Sequence, residues 1–384
     1  MTAGFHASAP RERLPLVVAV VGVGLAITTR YVIRAQKRVK QYREAAAAPR
    51  DQPTSVMVGL DIGSINARVR RVDQTNPRKI VIESDRMAVQ VRNGELVVGS
   101  LVAKNAVPNL RSTLLHDAST SLLDMGDAKD MDDLLPCVCA VPSQYDGPPL
   151  ERLRAILQHA GYRVVDFIPD AVAAVLALPK GTKPVKHVAV FDMGGTETSC
   201  SILLCDPDMT SPKILSTKTT TACSGDAVSA SIVEHLNASF MKKHGIDLRM
   251  DSLAMERLAQ AADAAKHELS SAQLSQVHLP FITADATGAK HLDLTVTASS
   301  LRRLMETPLQ HAATLCREVL HDAKLDAVDA VVVVGGGGKS PLVQSCVGQA
   351  LDNQTLLRVD NADEVVARGA AARGVALAEL TNSR

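Results

Sequence analysis

One short unit occurs twice in the sequence: an apolar run, an Asp-x-Gly turn and a second run of strand-forming residues. The first copy covers Val56–Val72 with Asp61 at its turn, and the second covers His187–Cys205 with Asp192 at its turn. A strand, a glycine-containing turn and another strand form a β-hairpin. The repetition therefore predicts two related lobes, each built on one such hairpin.

Each of these turns has the chemistry of a phosphate-binding loop. An Asp-x-Gly turn directs backbone N–H groups toward an anion, and its glycine lets the anion approach the main chain closely. Asp61 and Asp192 stand at the head of the two turns, and carboxylates are the hard oxygen ligands that Mg²⁺ or its bound waters prefer. One such turn alone is more often an ordinary hairpin, but two that face each other can hold a polyphosphate from both sides.

A third glycine-rich segment follows the apolar run Ala330–Val334. Its residues Gly335–Ser340 end in Gly-Lys-Ser, as a Walker A P-loop does. That motif needs another glycine five positions before the glycine of Gly-Lys-Ser, and Val333 occupies the position here. We therefore interpret the loop as a glycine platform beneath a nucleoside, next to the amino terminus of a predicted helix at Pro341–Leu351.

Length and composition fit a large folded domain and exclude one class of partner. The chain has 384 residues, 46% of them hydrophobic, which is enough for a core shared by two lobes. The formal net charge is +1 and aromatic residues make up 2%, so we expect no nucleic-acid partner. The seven cysteines are scattered, which is typical of buried thiols in a reducing compartment. Apolar residues at three- and four-residue spacing predict long helices over Ala227–His244, Ser252–Ser271 and Ala298–Ala323.

The first residues contain a candidate membrane anchor. Leu14–Thr29 has no charged residue, and the apolar stretch reaches Ile33 if Arg30 extends its side chain to the interface. Positive charge is denser after this stretch than before it. We therefore predict a single-pass transmembrane helix over residues 14–33, with the rest of the protein in the cytosol or the mitochondrial matrix. The alternatives are a cleaved signal peptide and a buried helix; the basic segment that follows favours an anchor.

The order of the motifs resembles that of the nucleotide-binding domain of heat-shock 70 chaperones, within the actin, hexokinase and heat-shock superfamily. The resemblance runs from Val56 to Leu380. Its segments correspond to the family's two phosphate loops, connecting helix, adenine-side helix, adenosine loop and closing helix, in that order: Val58–Gly63, Phe191–Gly195, Phe167–Ala174, Ala264–Gln273, Val333–Gly336 and Asn361–Ala371.

The resemblance implies an α/β, bilobal actin-like ATPase fold, with two duplicated ribonuclease-H-like lobes around a nucleotide cleft. Combined with the anchor, it predicts the following organisation along the chain: a short tail (1–13), the transmembrane helix (14–33), a basic helical spacer (34–54), lobe I with a reduced peripheral subdomain (55–183), lobe II (184–361) and a closing helix that returns to lobe I (362–384).

The resemblance also implies where ATP or ADP with Mg²⁺ would bind. Asp61 and Asp192 would hold the metal through waters, and Asp170 and Asp192 would be the catalytic carboxylates. The other implied contacts surround the phosphates first and then the adenine and ribose: Gly63, Ser64, Gly194 and Gly195, followed by Lys266, Ser270, Gly335, Gly336 and Asp363.

The sequence departs from the family's pattern at catalytic positions. Asp117–Ser119 replaces the lysine that contacts the reacting phosphate, and the catalytic glutamate is shortened to Asp170. In the second phosphate loop, Glu197 and Ser199 replace a threonine and an aspartate. A carboxylate about 4 Å from the terminal phosphate costs on the order of several kcal/mol, and loss of the lysine commonly costs roughly 100-fold or more in rate. We expect weak or absent hydrolysis.

These observations lead to one main hypothesis and two alternatives. The main hypothesis is a membrane-anchored, heat-shock-70-like ATP-binding protein related to chaperones or co-chaperones, without a client-binding domain because the sequence ends at Arg384. The alternatives are a slow chaperone-type ATPase that works with a J-protein or exchange factor, and a small-molecule kinase of the same superfamily. The run Arg30–Lys37 is similar to the anchor of the J-protein in the mitochondrial import motor, which favours a mitochondrial membrane and import-motor components as partners.

Overall fold

A computed structural model describes residues 56–62, 66–73, 80–86, 88–92, 95–99, 134–159, 162–179, 184–352, 355–357, 359 and 361–382. The predicted tail, transmembrane helix and spacer lie outside these residues, as do Gly63, Ser64 and the segment Asp117–Ser119. Within the described part of the chain, no helix is both long and apolar enough to cross a membrane.

The first half of the described chain forms a mixed sheet around the first hairpin. Its strands, with a separate hairpin of β4 and β5, are β1 (Val56–Ile62), β2 (Asn66–Asp73), β3 (Ile80–Arg86), β4 (Ala88–Arg92), β5 (Glu95–Gly99), β6 (Leu135–Val141) and β7 (Tyr162–Pro169). The sheet has the order β3-β2-β1-β6-β7. Strand β1 pairs antiparallel with β2 and parallel with β6, and β6 pairs parallel with β7. The predicted hairpin is therefore present, with a parallel strand on its other side.

The second half repeats this arrangement. Its strands are β8 (His187–Met193), β9 (Thr198–Leu204), β10 (Lys213–Thr220), β11 (Leu274–Asp285), β12 (Gly288–Thr297) and β13 (Ala330–Val334). The second sheet has the order β10-β9-β8-β13, in which β8 pairs antiparallel with β9 and parallel with β13. In both sheets, the strand that ends in the Asp-x-Gly turn lies between its hairpin partner and a parallel strand. Strands β11 and β12 form a long separate hairpin that the sequence patterns did not predict.

The helices correct one prediction. They are α1 (Pro148–His159), α2 (Asp170–Leu176), α3 (Gly225–His244), α4 (Ser252–Glu268), α5 (Ala298–Leu304), α6 (Glu306–Asp322), α7 (Pro341–Ala350) and α8 (Val365–Asn382). The single helix predicted over Ala298–Ala323 is wrong, because the structure divides it at Met305 into α5 and α6. Pro308 explains the break: it has no N–H to donate, and its ring would collide with the carbonyl group of Leu304 in a continuous helix.

Helices α2 and α8 join the two sheets. One cluster of buried side chains contains residues of both helices together with Val138 of β6, Val190 of β8 and Val334 of β13. The two helices cross at Gly369, where an added Cβ would lie 1.7 Å from the carbonyl oxygen of Ala173. Helix α8 also lies against β1, since a Cβ at Gly59 would lie 2.3 Å from the carbonyl oxygen of Ala367. The predicted closing helix therefore packs on the first sheet.

A second core cluster lies on the other side of the second sheet. It joins Phe191 and Ile202 of that sheet to Phe240 of α3, Leu258 of α4 and Val347 of α7. Burying a side chain of this size stabilises the fold by about 1.5–3 kcal/mol. The second sheet is thus covered on both faces, which explains the continuous apolar sequence of β13.

Candidate functional site

The second Asp-x-Gly turn is closed by its own backbone. Asp192 lies at the end of β8, paired with Ser199 of β9 and Val334 of β13. The N–H of Gly194 donates to the carbonyl oxygen of Glu197 across 3.0 Å. A Cβ at Gly194 would lie 2.7 Å from that oxygen, so a larger residue would prevent the turn from closing. This turn is the second phosphate loop of the sequence prediction.

Helix α3 holds this turn from one side. The N–H groups of Gly225 and Asp226 donate to the carbonyl oxygens of Gly194 and Gly195 across 3.0 and 2.7 Å. The first N–H groups of a helix have no partner within the helix, so the turn satisfies two of them. The predicted phosphate-binding glycines are therefore fixed to the amino terminus of a 20-residue helix.

The glycine platform after β13 packs directly on the same turn. Gly335 has a φ of 81°, and an added Cβ would lie 2.4 Å from Asp192 Oδ1. A Cβ at Gly337 would lie 2.4 Å from the sulfur of Met193. Gly336 differs, because a Cβ there would meet nothing within 4 Å. The loop thus rests on Asp192 and Met193 through two glycines and presents the third to open space.

Both ends of the glycine platform are linked to the segment before α8. The N–H of Gly335 donates to the carbonyl oxygen of Ala362 across 3.0 Å. Lys339 Nζ lies 2.9 Å from Asp363 Oδ1. Gly335, Gly336 and Asp363 therefore lie in one region of the chain's fold, and their contact with a nucleotide stays a prediction. Lys339 belongs to this group and was not among the predicted site residues; as the basic residue directly after the four glycines, it could have been proposed from the sequence.

One cleft collects acidic side chains from both sheets. Asp170, the first residue of α2, is 7% exposed and lines this cleft together with Asp192 and Glu197. The other lining residues of the cleft are polar or small: Pro142, Ser143, Gln144, Ala171, Gly194, Ser199 and Thr217. The Gln144 side-chain amide donates to Glu197 Oε1 across 3.3 Å, from the loop after β6 to the turn after β8.

Asp61 lies at the same end of the first sheet. It is half-buried on β1 and is paired in register with Ala140 of β6. Strand β6 leads directly into Pro142 and Gln144 of the cleft lining. The ends of the two predicted hairpin strands are therefore at the cleft side of their sheets.

Comparison with known proteins agrees with this architecture. The family model described as Hsp70 protein matches residues 121–382. This chain belongs to the Hsp70 family. The chaperone protein DnaK of Stenotrophomonas maltophilia (strain R551-3) is 31% identical over 379 residues, which cover 83% of this chain and 59% of that relative. The chain therefore spans less than two thirds of the length of that relative. The predicted family is confirmed, and with it an α/β actin-like ATPase fold and an Hsp70-like ATP-binding domain of the chaperone family.

In this Hsp70-family chain, Lys266 and Ser270 make contacts within the protein. Lys266 Nζ donates to the carbonyl oxygen of Gly225 (3.1 Å) and to Ser229 Oγ (2.8 Å), and it lies 2.8 Å from Asp263 Oδ1. Ser270 Oγ donates to the carbonyl oxygen of His267 across 2.6 Å. Neither residue is among the described lining of the acidic cleft. Lys266 instead connects α4 to the same end of α3 that supports the phosphate loop.

The amino-terminal end of α3 also carries Asp226, which is largely exposed. Partial loss of contact with water raises the pKa of this carboxyl group, and the nearby positive charge of Lys266 opposes the shift. The carboxyl of Asp263 raises the pKa further. Lys266 therefore stabilises the ionised form of Asp226, whose N–H donates to the carbonyl oxygen of Gly195.

The residues of the cleft suit a hydrated Mg²⁺ ion. Among the described residues, no three His, Cys, Asp or Glu side chains are arranged to hold a metal ion directly. Mg²⁺ usually keeps several waters and binds through one or two carboxylates plus the phosphates of a nucleotide. Asp170, directly after β7 of the first sheet, and Asp192, on β8 of the second sheet, supply such carboxylates. When bound, the ion would neutralise phosphate charge in a cleft that is otherwise acidic.

Proposed function

We propose that this Hsp70-family chain binds Mg²⁺-ADP or Mg²⁺-ATP between its two sheets, hydrolyses ATP slowly or not at all, and acts through protein partners at a membrane. One observation carries the nucleotide part: Asp170 from the first lobe and Asp192 from the second line the same cleft. The glycine platform packs on Asp192 and leaves Gly336 open, which supports a nucleoside beside the phosphates. Proteins of the Hsp70 family generally bind ATP or ADP with Mg²⁺.

Each acidic residue has a different part in this proposal. Asp192, paired on both sides within its sheet, would position Mg²⁺ or its waters against the phosphates. Asp170 is held nearly buried at the start of α2 and faces the cleft from the other sheet, where it would orient a water molecule. Asp61, at the end of β1, would contribute to the metal site from the first lobe.

The charge of the cleft supports slow hydrolysis. Phosphoryl transfer is accelerated by positive groups that stabilise charge in the transition state. None of the described lining residues is basic, and Glu197 adds a carboxylate where the family's pattern has a threonine. Asp170 lines the cleft, where its carboxylate would orient the attacking water. This position favours the second candidate, a slow ATPase that is stimulated by a J-protein or exchange factor. Membership of the Hsp70 family makes the small-molecule kinase the weaker alternative.

Nucleotide binding is tested by thermal shift of the full chain. A ligand that binds only the folded state stabilises it by about 2.7 kcal/mol at a hundredfold excess over its Kd. We expect Mg²⁺-ADP to raise Tm, and we expect EDTA or Asp192→Asn to remove most of the increase. Asp208→Asn changes an exposed turn and serves as the matched control. If Mg²⁺-ADP and Mg²⁺-ATP both leave Tm unchanged, the proposed nucleotide function is wrong.

The membrane part of the proposal is tested separately. It is supported by the uncharged stretch Leu14–Thr29 and by the denser positive charge that follows it. We expect the full chain to remain in the membrane fraction after alkaline extraction, and a chain lacking residues 14–33 to be released. Import into isolated mitochondria tests the proposed compartment, and co-purification after cross-linking tests for a J-protein or exchange factor. Extraction of the full chain by alkali would contradict the anchor.

A further inference from the structure

Glu197 has a fixed position in the lining of the cleft. Its carbonyl oxygen accepts the hydrogen bond that closes the turn with Gly194. The next residue, Thr198, is fully buried, and its hydroxyl group donates to the carbonyl oxygen of Cys223 across 3.2 Å. The backbone from the carbonyl group of Glu197 to Thr198 is therefore held, and the Glu197 side chain starts from a defined point.

The carboxylate of Glu197 is also directed by the other lobe. Gln144, in the loop after β6, donates its side-chain amide to Glu197 Oε1 across 3.3 Å. Both residues line the cleft. A neutral donor such as Gln144 orients the carboxylate without cancelling its charge. The negative charge of Glu197 is thus retained in the lining of the cleft.

Among the described lining residues, no positively charged side chain balances the carboxylates. Asp170, Asp192 and Glu197 contribute three carboxylates, and no described lining residue is a lysine or arginine. Lys218 is adjacent in sequence to the lining residue Thr217, but its Nζ lies 3.2 Å from Asp322 and 3.3 Å from Glu318, both on α6. A bound Mg²⁺ ion can offset the charge of two carboxylates. Glu197 remains as the surplus negative charge.

We propose that Glu197 makes this cleft selective for the nucleoside diphosphate over the triphosphate. The inference rests on the proposed nucleotide function and deepens it. ADP and ATP share the base, the ribose and two phosphates, so contacts with those groups contribute equally to both. ATP brings one more phosphate with its negative charge into the acidic cleft. At partly exposed sites, one unfavourable pair of charges at contact distance lowers affinity about ten- to a hundredfold.

The test is the ratio of two dissociation constants measured on the full chain. Isothermal titration calorimetry with Mg²⁺-ADP and with Mg²⁺-AMP-PNP, a triphosphate that resists hydrolysis, gives this ratio without any turnover. For the wild-type chain, we expect ADP to bind at least about tenfold more tightly. In Glu197→Gln, which keeps the size and hydrogen-bonding capacity of the side chain, we expect the two constants to become similar. Glu197→Thr is a second variant with the same expected direction.

Glu256→Gln is the matched control. Glu256 is an exposed carboxylate that accepts a hydrogen bond from the amide of Gln260 across 3.2 Å, as Glu197 does from Gln144, but it lies on α4 outside the cleft lining. This control should keep the wild-type ratio. A wild-type chain that binds ADP and AMP-PNP equally, or an unchanged ratio in both Glu197 variants, overturns the inference while leaving nucleotide binding in place. If neither nucleotide produces heat of binding or a Tm shift, the proposed function fails as well.

Discussion

Lys266 Nζ lies 3.1 Å from the carbonyl oxygen of Gly225, the first residue of α3. The N–H of the same glycine donates to the carbonyl oxygen of Gly194 in the phosphate loop. One residue, Gly225, therefore connects the ammonium group of Lys266 on α4 to the backbone of the predicted phosphate loop. In this structure Lys266 stabilises the position of the loop through Gly225 of α3, in addition to any contact with a nucleotide.

Replacing Lys266 should weaken the fold even without nucleotide. Hydrogen bonds to a charged group contribute about 1.5–3 kcal/mol, and the partly exposed ion pair with Asp263 adds little. We expect Lys266→Met to lower the free energy of unfolding by about 1–3 kcal/mol in urea titrations of the nucleotide-free chain. Ser229→Ala, which removes one of the two acceptors, should cost about 1 kcal/mol or less. An unchanged urea midpoint in Lys266→Met would mean that the side chain acts on the nucleotide alone.

Substitutions at Gly335 and Gly336 should affect stability and nucleotide affinity separately. A Cβ at Gly336 meets nothing within 4 Å, so Gly336→Ala should change stability by no more than about 0.5 kcal/mol. The same methyl group faces the space assigned to the nucleoside, so ADP affinity should fall about tenfold or more by calorimetry. Gly335→Ala places its methyl group against Asp192 at a positive φ and should destabilise the chain itself. Normal ADP affinity in Gly336→Ala would contradict this location for the nucleoside.

The crossing of α2 and α8 depends on the lack of a side chain at Gly369. An added Cβ would lie 1.7 Å from the carbonyl oxygen of Ala173, and backbone atoms on both helices cannot move apart without opening the core between the sheets. We expect Gly369→Ala to cost about 3 kcal/mol or more, measured by urea or thermal unfolding. Glu379→Ala changes an exposed position of the same helix and should stay within about 0.5 kcal/mol. Equal stability of the two variants would exclude the close crossing.

Asp247 should contribute to stability in a pH-dependent way. Its carboxylate accepts hydrogen bonds from Arg249 and from the amide of the buried Asn237, and these contacts hold its pKa well below the ordinary value for aspartate. A carboxyl group whose pKa is lower in the folded state stabilises the fold above its unfolded pKa of about 3.9, and this stabilisation is lost as the pH falls through the folded pKa. Asp247→Asn should therefore have a lower Tm than the wild type at neutral pH.

The difference in Tm between wild type and Asp247→Asn should be constant from about pH 5 to pH 8 and should shrink below about pH 4. Differential scanning fluorimetry across this range measures it. The exposed-turn variant Asp208→Asn should follow the wild-type curve at every pH. A difference that does not shrink in acid would show that Asn at position 247 perturbs the structure for a reason other than charge.

The sequence was sufficient to predict the two hairpins. An apolar run that ends in Asp-x-Gly specifies both the strand and its turn, because the turn closes only with glycine at positions such as Gly194. The β11–β12 hairpin was missed for a physical reason. Its buried face includes Ser275, which donates to Glu268, and Phe281 is exposed at a φ of 52° where the pairing register shifts. Neither feature produces an alternating apolar pattern.

Contacts between distant segments could not be predicted from local patterns. Glu197 was recognised as a departure from the family's second loop, but the hydrogen bond from Gln144 depends on how the two sheets are placed. That Lys266 faces adenine stays a prediction, and its contacts with Gly225 and Ser229 follow from the packing of α4 on α3. The side chain of a long, flexible lysine can reach several partners, and its position in the sequence does not choose among them.

The contact between Gly59 and Ala367 joins a strand made early in synthesis to a helix made late. While the chain is on the ribosome, the face of β1 that α8 covers has no partner from that helix. Long-range pairing of this kind slows folding and leaves apolar surface open to aggregation in the meantime. A chain that belongs to a chaperone family is thus expected to need shielding by other chaperones until α8 emerges.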